Sequence, residues 1–359
     1  MRVIVAAGGT GGHIYPALAI INRIQEQDKN SEVLYIGTTN RMEKDIVPAK
    51  GIRFVGIEIQ GLNRKNPLAN VKVLKKFFQA IEKSKQIIKE FQPDIVIGVG
   101  GYITAPVLYA AHKLHVKTMI HEQNSIPGLS NKFLARFVDR ICVSLPGSVQ
   151  YFPKDKTIYT GNPRSEEILQ IKKTSKTKLG FSSSKKLVLV VMGSLGSTTM
   201  TKKLKEAILS FQSKDYQVLV ITGKAYYDDY KEIDLPSNVK LLPYTEELIQ
   251  IMKDTDIMVS RAGASTISEI TGIGLPSILV PSPYVTHNHQ YLNAKELEDA
   301  GACWILEEKD FSGDALCSKI DKIFSDKKQY LAMKKASEAF GIKDSLTKIY
   351  QEIKKLVGE

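Results

Sequence analysis

The chain has 359 residues, a length that suits two domains of roughly 100–200 residues each. Hydrophobic residues make up 43% and charged residues 25%, which is typical of globular proteins and excludes a disordered, collagen-like or coiled-coil chain. Cys142, Cys303 and Cys317 form no CxxC pair, so neither a disulfide framework nor a cysteine-rich zinc module is expected. The net charge of +12 indicates an anionic partner: nucleic acid, a phosphate ligand or an anionic membrane.

No segment has the pattern of a membrane span. The longest uncharged apolar stretch, residues 95–111, is interrupted by glycines and Pro106 and is shorter than the ~20 residues that a span needs. Any membrane contact is therefore expected to be peripheral.

In chain order, both halves alternate short apolar runs with helical patterns. The first half predicts strands at 2–7, 33–37, 54–59, 94–99, 118–121 and 140–144, and helices at 15–27, 43–49, 68–91 and up to 111. The second half predicts strands at 187–192, 217–222, 239–242, 256–259 and 277–280, and helices up to 211, at 245–254, 265–272, 290–300 and over most of 314–357. This rhythm predicts an α/β fold with two parallel-sheet, Rossmann-like domains facing each other across a cleft, with a hinge at Gly161-Asn162-Pro163.

Four glycine-containing loops follow predicted strands. They are Gly8-Gly9-Thr10-Gly11-Gly12-His13, Gly98-Val99-Gly100-Gly101-Tyr102, Gly193-Ser194-Leu195-Gly196, and the run from Ser260 to Glu269. Ligands of open α/β sheets bind beyond the carboxyl ends of strands, so four such loops predict sites for two phosphate-bearing ligands.

Two common nucleotide-binding classes are disfavoured. No GxxxxGK[ST] run occurs, which excludes a P-loop NTPase. The GxGxxG form fails at Ile14, and Gly37-Thr38-Thr39-Asn40 stands where a dinucleotide fold carries its acidic residue. A nicotinamide dehydrogenase is therefore not favoured.

Several polar residues at strand ends are candidate site residues. His13 follows the first glycine loop and is a candidate catalytic base. Glu269 lies one helical turn past Ser265, where it could bind the hydroxyls of a ribose or only compensate a helix dipole. The run from His121 to Asn124 indicates a site, whereas Asp254-Thr255-Asp256 is explained by a helix end and a strand start, so no metal site is expected.

The glycine run that continues into Ile14-Tyr15-Pro16-Ala17-Leu18-Ala19 resembles the opening of the MurG family of N-acetylglucosaminyltransferases. Further similar motifs occur in the family's order along the whole chain. They are Gly100-Gly101-Tyr102, His121-Glu122-Gln123-Asn124-x-x-Pro127-Gly128, Gly161-Asn162-Pro163-Arg164, Gly193-Ser194-x-Gly196, Ser260-Arg261-Ala262-Gly263-Ala264 and Asn288-His289-Gln290. The resemblance implies a GT-B fold with an acceptor- and membrane-facing domain at 1–160, joined by a C-terminal helix at about 342–359, and a UDP-N-acetylglucosamine-binding domain at 161–341.

The resemblance also implies the reaction and its partners. The expected reaction is inverting transfer of N-acetylglucosamine from UDP-N-acetylglucosamine to the muramyl 4-hydroxyl of lipid I, which gives lipid II without metal or cofactor. The expected place is the cytoplasmic face of the bacterial membrane, with an anionic membrane surface and the cell-wall synthesis and division machinery as further partners.

Site residues are carried over motif by motif. The implied donor contacts are Thr10, Gly11, Gly12, Asn124, Arg164, Ser194, Tyr244, Thr245, Ala264, Ser265, Thr266, Ile267, Ser268, Glu269 and Gln290. The implied acceptor contacts are Gly100, Gly101 and Tyr102. The family does not settle the catalytic base: His13 is the best candidate from its position, and His121 and Glu122 remain rivals.

Two other functions stay open at this point. Basic residues between 64 and 89 could bind nucleic acid, but aromatic residues are sparse there and no nucleic-acid motif appears, so no nucleic-acid partner is expected. Another GT-B enzyme acting on a different acceptor is the second alternative. The helix predicted at 68–91 also places Val71, Leu74, Phe77, Phe78 and Ile81 largely on one face, flanked by lysines, which predicts either packing on the sheet or contact with anionic lipid.

Overall fold

A computed structural model describes residues 1–61, 70–192 and 198–358 of the chain. The chain divides into two compact units. The first comprises residues 1–164 and 344–359, and the second comprises residues 165–343.

The first unit is built on a parallel sheet with seven strands in its described part, in the order β3-β2-β1-β4-β5-β6-β7. The strands are β1 (Arg2–Ala7), β2 (Glu32–Thr38), β3 (Arg53–Ile57), β4 (Ile95–Gly100), β5 (Lys117–Glu122), β6 (Arg140–Val143) and β7 (Thr157–Tyr159). The helices of this segment are α1 (Gly11–Gln27), α2 (Glu43–Ala49), α3 (Asn70–Phe91), α4 (Thr104–Lys113), α5 (Leu129–Leu134) and α6 (Pro163–Glu167), the last of which crosses into the second unit. The central strands β1 and β4 are almost wholly buried, because helices cover both faces of the sheet, and this explains their unbroken apolar sequences.

The second unit has a parallel sheet in the order β10-β9-β8-β11-β12-β13. Its strands are β8 (Leu187–Val191), β9 (Gln217–Ile221), β10 (Val239–Leu242), β11 (Ile257–Ser260), β12 (Ser277–Leu279) and β13 (Cys303–Ile305). Its helices are α7 (Thr198–Leu209), α8 (Leu248–Met252), α9 (Ala264–Ile273), α10 (His289–Asp299), α11 (Gly313–Ser325) and α12 (Lys327–Phe340). Its buried core is separate from the cores on the two faces of the first sheet. These two sheets confirm the predicted α/β fold with two Rossmann-like domains.

The last helix, α13 (Ser345–Val357), belongs to the first unit. Its buried residues Leu346, Ile349 and Ile353 share a core with the buried face of α1. Arg23 of α1 donates a hydrogen bond to the Thr347 hydroxyl at 3.0 Å. The chain thus returns to the first unit after completing the second.

Several element bounds differ from the sequence prediction. Helix α1 begins at Gly11, four residues before the predicted Tyr15, because Thr10 caps it with an extended backbone and the glycines form its first turn. Helix α8 begins only at Leu248, because the Thr245 hydroxyl accepts a hydrogen bond from the Glu247 amide and forms a turn before it.

Helices α5 and α6 and strands β7 and β13 were not predicted. Strands β7 and β13 have three residues each and lie at the edges of their sheets, so their sequences are too short to show a strand pattern. Within the described ranges, no helix is both long enough and apolar enough to cross a membrane.

Candidate functional site

The first glycine loop forms the N-terminus of a long helix. Thr10 is extended and accepts backbone hydrogen bonds from His13 and Ile14, both at 3.1 Å. Gly9 has φ +94°, a conformation that favours glycine. The first amide groups of a helix have no partner inside it and carry the positive end of the dipole, so the loop at Gly11 and Gly12 can bind an anion.

The loop after β4 packs directly on this glycine loop. The Gly8 amide donates a hydrogen bond to the Gly100 carbonyl at 3.1 Å. Gly100 and Gly101 have φ +116° and +92°. A Cβ on Gly100 would lie 2.8 Å from Nε2 of His13, and one on Gly101 would clash with the Gly8 carbonyl. Glycine is therefore required at both positions for the two loops to touch.

His13 is partly exposed at this junction. Its Nδ1 lies 3.0 Å from the carbonyl oxygen of Gly8. Since a carbonyl oxygen only accepts, Nδ1 carries the proton in the neutral ring and the lone pair is on Nε2. The edge of the ring that carries Cδ2 and Nε2 faces Gly100. The structure thus brings His13, the candidate base, next to the predicted acceptor residues Gly100 and Gly101.

Glu43 is a site residue that the sequence analysis missed. It is fully buried. Its Oε2 accepts a hydrogen bond from the Gly9 amide at 3.1 Å, and its Oε1 accepts from the Thr38 amide at 3.0 Å and the Thr38 hydroxyl at 2.7 Å. An acidic residue does serve the first glycine loop, but it comes from the first turn of α2 instead of the end of β2. An acid in a helical first turn is usually explained by the dipole, so the sequence carried no distinctive signal.

His121, the first of the two rivals for the base, is fully buried. Its Nε2 donates to the Gly161 carbonyl at 3.1 Å, and its Nδ1 accepts from the Gln123 side-chain amide at 3.0 Å. Burial lowers its pKa to about 4. Both ring nitrogens are therefore engaged within the protein, and the ring is neutral near pH 7.

Glu122, the second rival, is also buried and organises the loop that follows β5. Its Oε1 accepts from the Asn124 amide at 3.0 Å and the Asn124 side chain at 3.3 Å. Its Oε2 accepts from the Gly128 amide at 3.1 Å and the Asn131 side chain at 2.8 Å. The carboxylate thus holds Asn124, a predicted donor contact, in one orientation.

Two further predicted positions of the first unit, Arg164 and Tyr102, are partly or fully exposed. The Arg164 guanidinium lies 5.9 Å from the ring centre of Tyr15, and its amide donates to the Asn162 side chain at 3.1 Å. The Tyr102 side chain is 60% exposed and lies against the backbone of Gly61. An exposed aromatic ring beside the glycine loops offers an apolar face to a sugar or a lipid headgroup.

In the second unit, the predicted donor segment is the N-terminal half of α9. Gly263 caps this ten-residue helix with an extended backbone. Ile267 is buried in the unit and the Ser268 hydroxyl donates to the Ala264 carbonyl at 2.8 Å, so these two side chains face inward. The Ser265 hydroxyl oxygen is buried and makes no hydrogen bond within the described part of the chain. The segment thus combines a helix N-terminus with an unsatisfied hydroxyl, which suits a diphosphate.

The remaining donor predictions of this unit lie just after β10, at the start of α10 and on α9. Tyr244 is 46% exposed, and the Lys224 ammonium lies 4.7 Å from its ring centre. The Gln290 side-chain oxygen accepts from the Ser282 amide at 2.9 Å. Thr245 forms the turn before α8, and Thr266 and Glu269 are half-buried on α9. Ser194 lies outside the described residues.

The described residues contain no cluster of three or more histidine, cysteine or acidic side chains that could hold a metal ion. In the DxD run, the Asp254 carboxylate accepts from the Lys176 amide at 2.8 Å, and the Asp256 carboxylate accepts from the Leu187 amide at 2.9 Å and the Lys186 ammonium at 2.7 Å. Both carboxylates thus connect loops to the sheet.

Two parallel α/β sheets with glycine loops at their strand ends are compatible with a glycosyltransferase but do not identify one, and comparison with known proteins shows the class. Residues 3–143 match the glycosyltransferase family 28 N-terminal domain, and residues 187–349 match the glycosyltransferase family 28 C-terminal domain. The chain belongs to glycosyltransferase family 28 and, within it, to the MurG family.

Relatives cover the whole chain. The chain is 45% identical to UDP-N-acetylglucosamine–N-acetylmuramyl-(pentapeptide) pyrophosphoryl-undecaprenol N-acetylglucosamine transferase 1 of Bacillus cereus, over 99% of this chain and 100% of the relative. It is 44% identical to the transferase of the same description from Bacillus cytotoxicus, with the same coverage. Among solved structures, MurG of Acinetobacter baumannii is similar with a TM-score of 0.80 and 26% identity over 99% of both chains. The calicheamicin glycosyltransferase CalG4 shares the fold, with a TM-score of 0.73 at 13% identity over 100% of this chain and 98% of CalG4.

Proposed function

We propose that this protein transfers N-acetylglucosamine from UDP-N-acetylglucosamine to the muramyl 4-hydroxyl of lipid I and thereby makes lipid II. The full-length relatives named for this transfer support the proposal. The observation that carries the mechanism is the placement of His13, whose Nδ1 is held by Gly8 while Nε2 lies beside the Gly100 loop.

His13 acts as the general base in this proposal. Nε2 of His13 takes the proton of the acceptor hydroxyl while the oxygen of that hydroxyl attacks the anomeric carbon of the donor N-acetylglucosamine. The bond from that carbon to the diphosphate breaks, UDP leaves, and attack opposite the leaving group inverts the configuration. His121 and Glu122 suit this step less well, because the described hydrogen bonds already occupy both ring nitrogens of His121 and both carboxylate oxygens of Glu122. We assign them to loop positioning.

The departing diphosphate needs stabilisation of its negative charge. In our proposal the N-terminus of α9 supplies it through the backbone amides at 264–266 and the hydroxyls of Ser265 and Thr266. The helix dipole favours an anion there, and Ser265 has an unsatisfied hydroxyl. Ser194 would contribute from the preceding glycine loop of this unit.

Glu269, Tyr244, Thr245 and Gln290 would bind the rest of the donor. The Glu269 carboxylate would accept hydrogen bonds from the ribose hydroxyls, and Tyr244 would stack on the uracil. On the first unit, the proposed donor contacts are Thr10, Gly11, Gly12, Asn124 and Arg164. Gly100, Gly101 and Tyr102 would contact the acceptor.

The lipid acceptor requires a membrane-facing surface, which we propose lies on the first unit around α3. Its buried residues, including Val73, Ala80 and Ile81, face the core, whereas Val71, Leu74 and Phe78 are 70%, 50% and 63% exposed. The apolar stripe expected from the sequence is therefore divided, with Ile81 in the core and three large side chains left at the surface.

This exposed surface continues onto α5 through an aromatic cluster. Phe77 lies 6.4 Å from Phe133, centre to centre, and Phe133, which is 42% exposed, lies 5.2 Å from Phe137. Lys72 and Lys75 are exposed beside it. Exposed apolar side chains flanked by lysines are typical of proteins that bind an anionic lipid surface peripherally, so we propose association with the cytoplasmic face of the membrane.

A transfer assay tests the proposed reaction. The purified protein is incubated with UDP-N-acetylglucosamine labelled in the sugar and with a lipid I analogue. We expect the label to appear in the lipid product and UDP to be released in equal amount. Transfer to an unrelated glycolipid with no transfer to the lipid I analogue would contradict the proposal and favour a different acceptor.

A further inference from the structure

The peptide group between Gly8 and Gly9 is hydrogen-bonded at both ends by side chains. Its N–H, from Gly9, donates to Oε2 of Glu43 at 3.1 Å. Its C=O, from Gly8, lies 3.0 Å from Nδ1 of His13. Glu43 and His13 are therefore joined through one peptide group, although they do not share a direct hydrogen bond among those described.

We propose that Glu43 is a positioning residue for the reaction, which holds and polarises this peptide group so that the Gly8 carbonyl fixes the orientation and tautomer of His13. This inference rests on the proposed function, in which His13 is the base. A carboxylate bonded to one end of a peptide group strengthens the acceptor at the other end, because hydrogen bonds in a chain polarise one another.

The surroundings of Glu43 leave its carboxylate a single orientation. It is fully buried, and Oε1 is held by both the amide and the hydroxyl of Thr38. A Cβ on Gly37 would lie 2.7 Å from its Cγ, and a Cβ on Gly8 would clash with its Oε1. The glycines at these two positions therefore make room for this side chain. Tyr35 faces it from β2, and its pKa is raised by burial and by the charge of Glu43.

The peptide group it holds is in an unusual conformation. Gly9 has φ +94°, which only glycine adopts readily, and the Gly8 amide is tied to the Gly100 carbonyl at 3.1 Å. Glu43 thus fixes the peptide plane that carries the carbonyl oxygen bonded to the His13 ring. Its role differs from that of an acid that only compensates the dipole of α2.

The test substitutes Glu43 by glutamine, which keeps the size but replaces one acceptor oxygen by an NH₂ donor. One of the two partners, Gly9 or Thr38, must then lose its acceptor. For Glu43→Gln we expect kcat to fall about 10- to 100-fold, the loss typical of a small displacement of a catalytic group. The KM for UDP-N-acetylglucosamine should change much less. The ring ¹⁵N shifts of His13 should move away from those of the Nδ1–H tautomer.

A double-mutant cycle separates this inference from the proposed function. If Glu43 acts through His13, then Glu43→Gln should lower kcat in the wild type and have no further effect in His13→Ala. Equal fold losses in both backgrounds, or unchanged kcat and ¹⁵N shifts in Glu43→Gln, would overturn the inference. Wild-type turnover of His13→Ala by itself would instead overturn the assignment of the base.

Two further variants guard against a loss caused only by instability. Glu352→Gln is a matched control, because Glu352 is also buried in the first unit but its carboxylate bonds Lys355 at 2.6 Å and lies 3.1 Å from Arg140. We expect it to change stability but not kcat. If Glu43→Gln does not fold, Thr38→Val, which removes one donor to Glu43, should lower kcat a few-fold in the wild type and not in His13→Ala. Equal effects of Thr38→Val in both backgrounds would also overturn the inference.

Discussion

Arg261 and Glu308 form a buried ion pair in the second unit, with 2.5 Å between Nη2 and Oε2. The other guanidinium nitrogen, Nη1, donates to the Val280 carbonyl at 3.1 Å, and the other carboxylate oxygen accepts from the Thr199 hydroxyl at 2.7 Å. The pair therefore joins the ends of β11 and β12 to the start of α7, next to the loop that leads into α9. Arg261 belongs to a recognisable motif, but Glu308 is 47 residues away in the chain, so no local pattern pairs the two residues.

We expect Glu308→Ala to destabilise the protein by about 3–5 kcal/mol, because it leaves the Arg261 charge buried and unpaired. Urea unfolding of the variant and wild type measures this. Glu307→Ala is the matched control, because Glu307 is next to Glu308 in the chain but its carboxylate is 43% exposed and pairs with Lys309. This substitution should change the free energy of unfolding by less than about 0.5 kcal/mol. A loss for Glu308→Ala no greater than for the control would show that the pair contributes little.

His13→Ala should leave donor binding near normal and lower turnover at least ~100-fold, the size usual for loss of a general base. The reason is that the proton of the acceptor hydroxyl then has no positioned base. Single-turnover transfer and equilibrium binding of UDP-N-acetylglucosamine measure the two effects separately. Turnover at the wild-type rate would remove His13 from the mechanism.

Glu269→Ala should weaken donor binding by ~1.5–3 kcal/mol, the range for hydrogen bonds to a charged group. The wild type should bind a donor that lacks a ribose hydroxyl more weakly than it binds the normal donor. The Glu269→Ala variant should bind these two donors about equally well. Calorimetric titration with both donors measures the four affinities. If the deoxyribose donor loses the same affinity on both proteins, Glu269 does not contact the sugar.

Binding to vesicles should depend on the lysines around α3. Changing Lys72, Lys75 and Lys76 to glutamate should abolish sedimentation with vesicles rich in phosphatidylglycerol, because each lysine near such a surface contributes ~1 kcal/mol. Lys76 pairs with Glu58 at 2.7 Å, so the exposed Lys72 and Lys75 should account for most of the loss.

The control for this experiment makes the same charge change in the second unit, at the exposed Lys327, Lys328 and Lys334 of α12. This variant should still sediment with the vesicles. Activity on a short-chain soluble acceptor should survive in both variants. If the α3 variant sediments as well as wild type does, the membrane-binding surface lies elsewhere.

Stability should fall in mild acid because of His121. Its pKa is about 4 in the folded protein and about 6.5 when unfolded, so between these values the unfolded chain binds more protons. The contribution of neutral His121 to the free energy of unfolding is therefore fully present above pH 6.5. It is lost as the pH falls towards 4, by roughly 3 kcal/mol in total. Urea midpoints at pH 7.5 and 5 should differ less in His121→Gln than in wild type. His115→Asn, at an exposed histidine, should behave as wild type does.

The two parallel sheets and the family could be predicted from the sequence alone. The central strands β4 and β8 are apolar throughout because they are buried on both faces of their sheets. The glycine loops stand at strand ends, where the backbone must approach a ligand or another loop closely. Both are local properties, visible in a short stretch of residues. Most predicted site residues belong to such loops for the same reason.

The roles of the buried polar groups, in contrast, depend on the tertiary structure. Glu43 accepts a hydrogen bond from Gly9, 34 residues away in the chain, and Arg261 pairs with Glu308. His121 is neutral because it is buried, and its ring is hydrogen-bonded to Gly161. The apolar stripe of α3 was likewise divided between core and surface by the way the helix packs. Burial and hydrogen-bond partners come from residues distant in the chain, so a local pattern does not contain them.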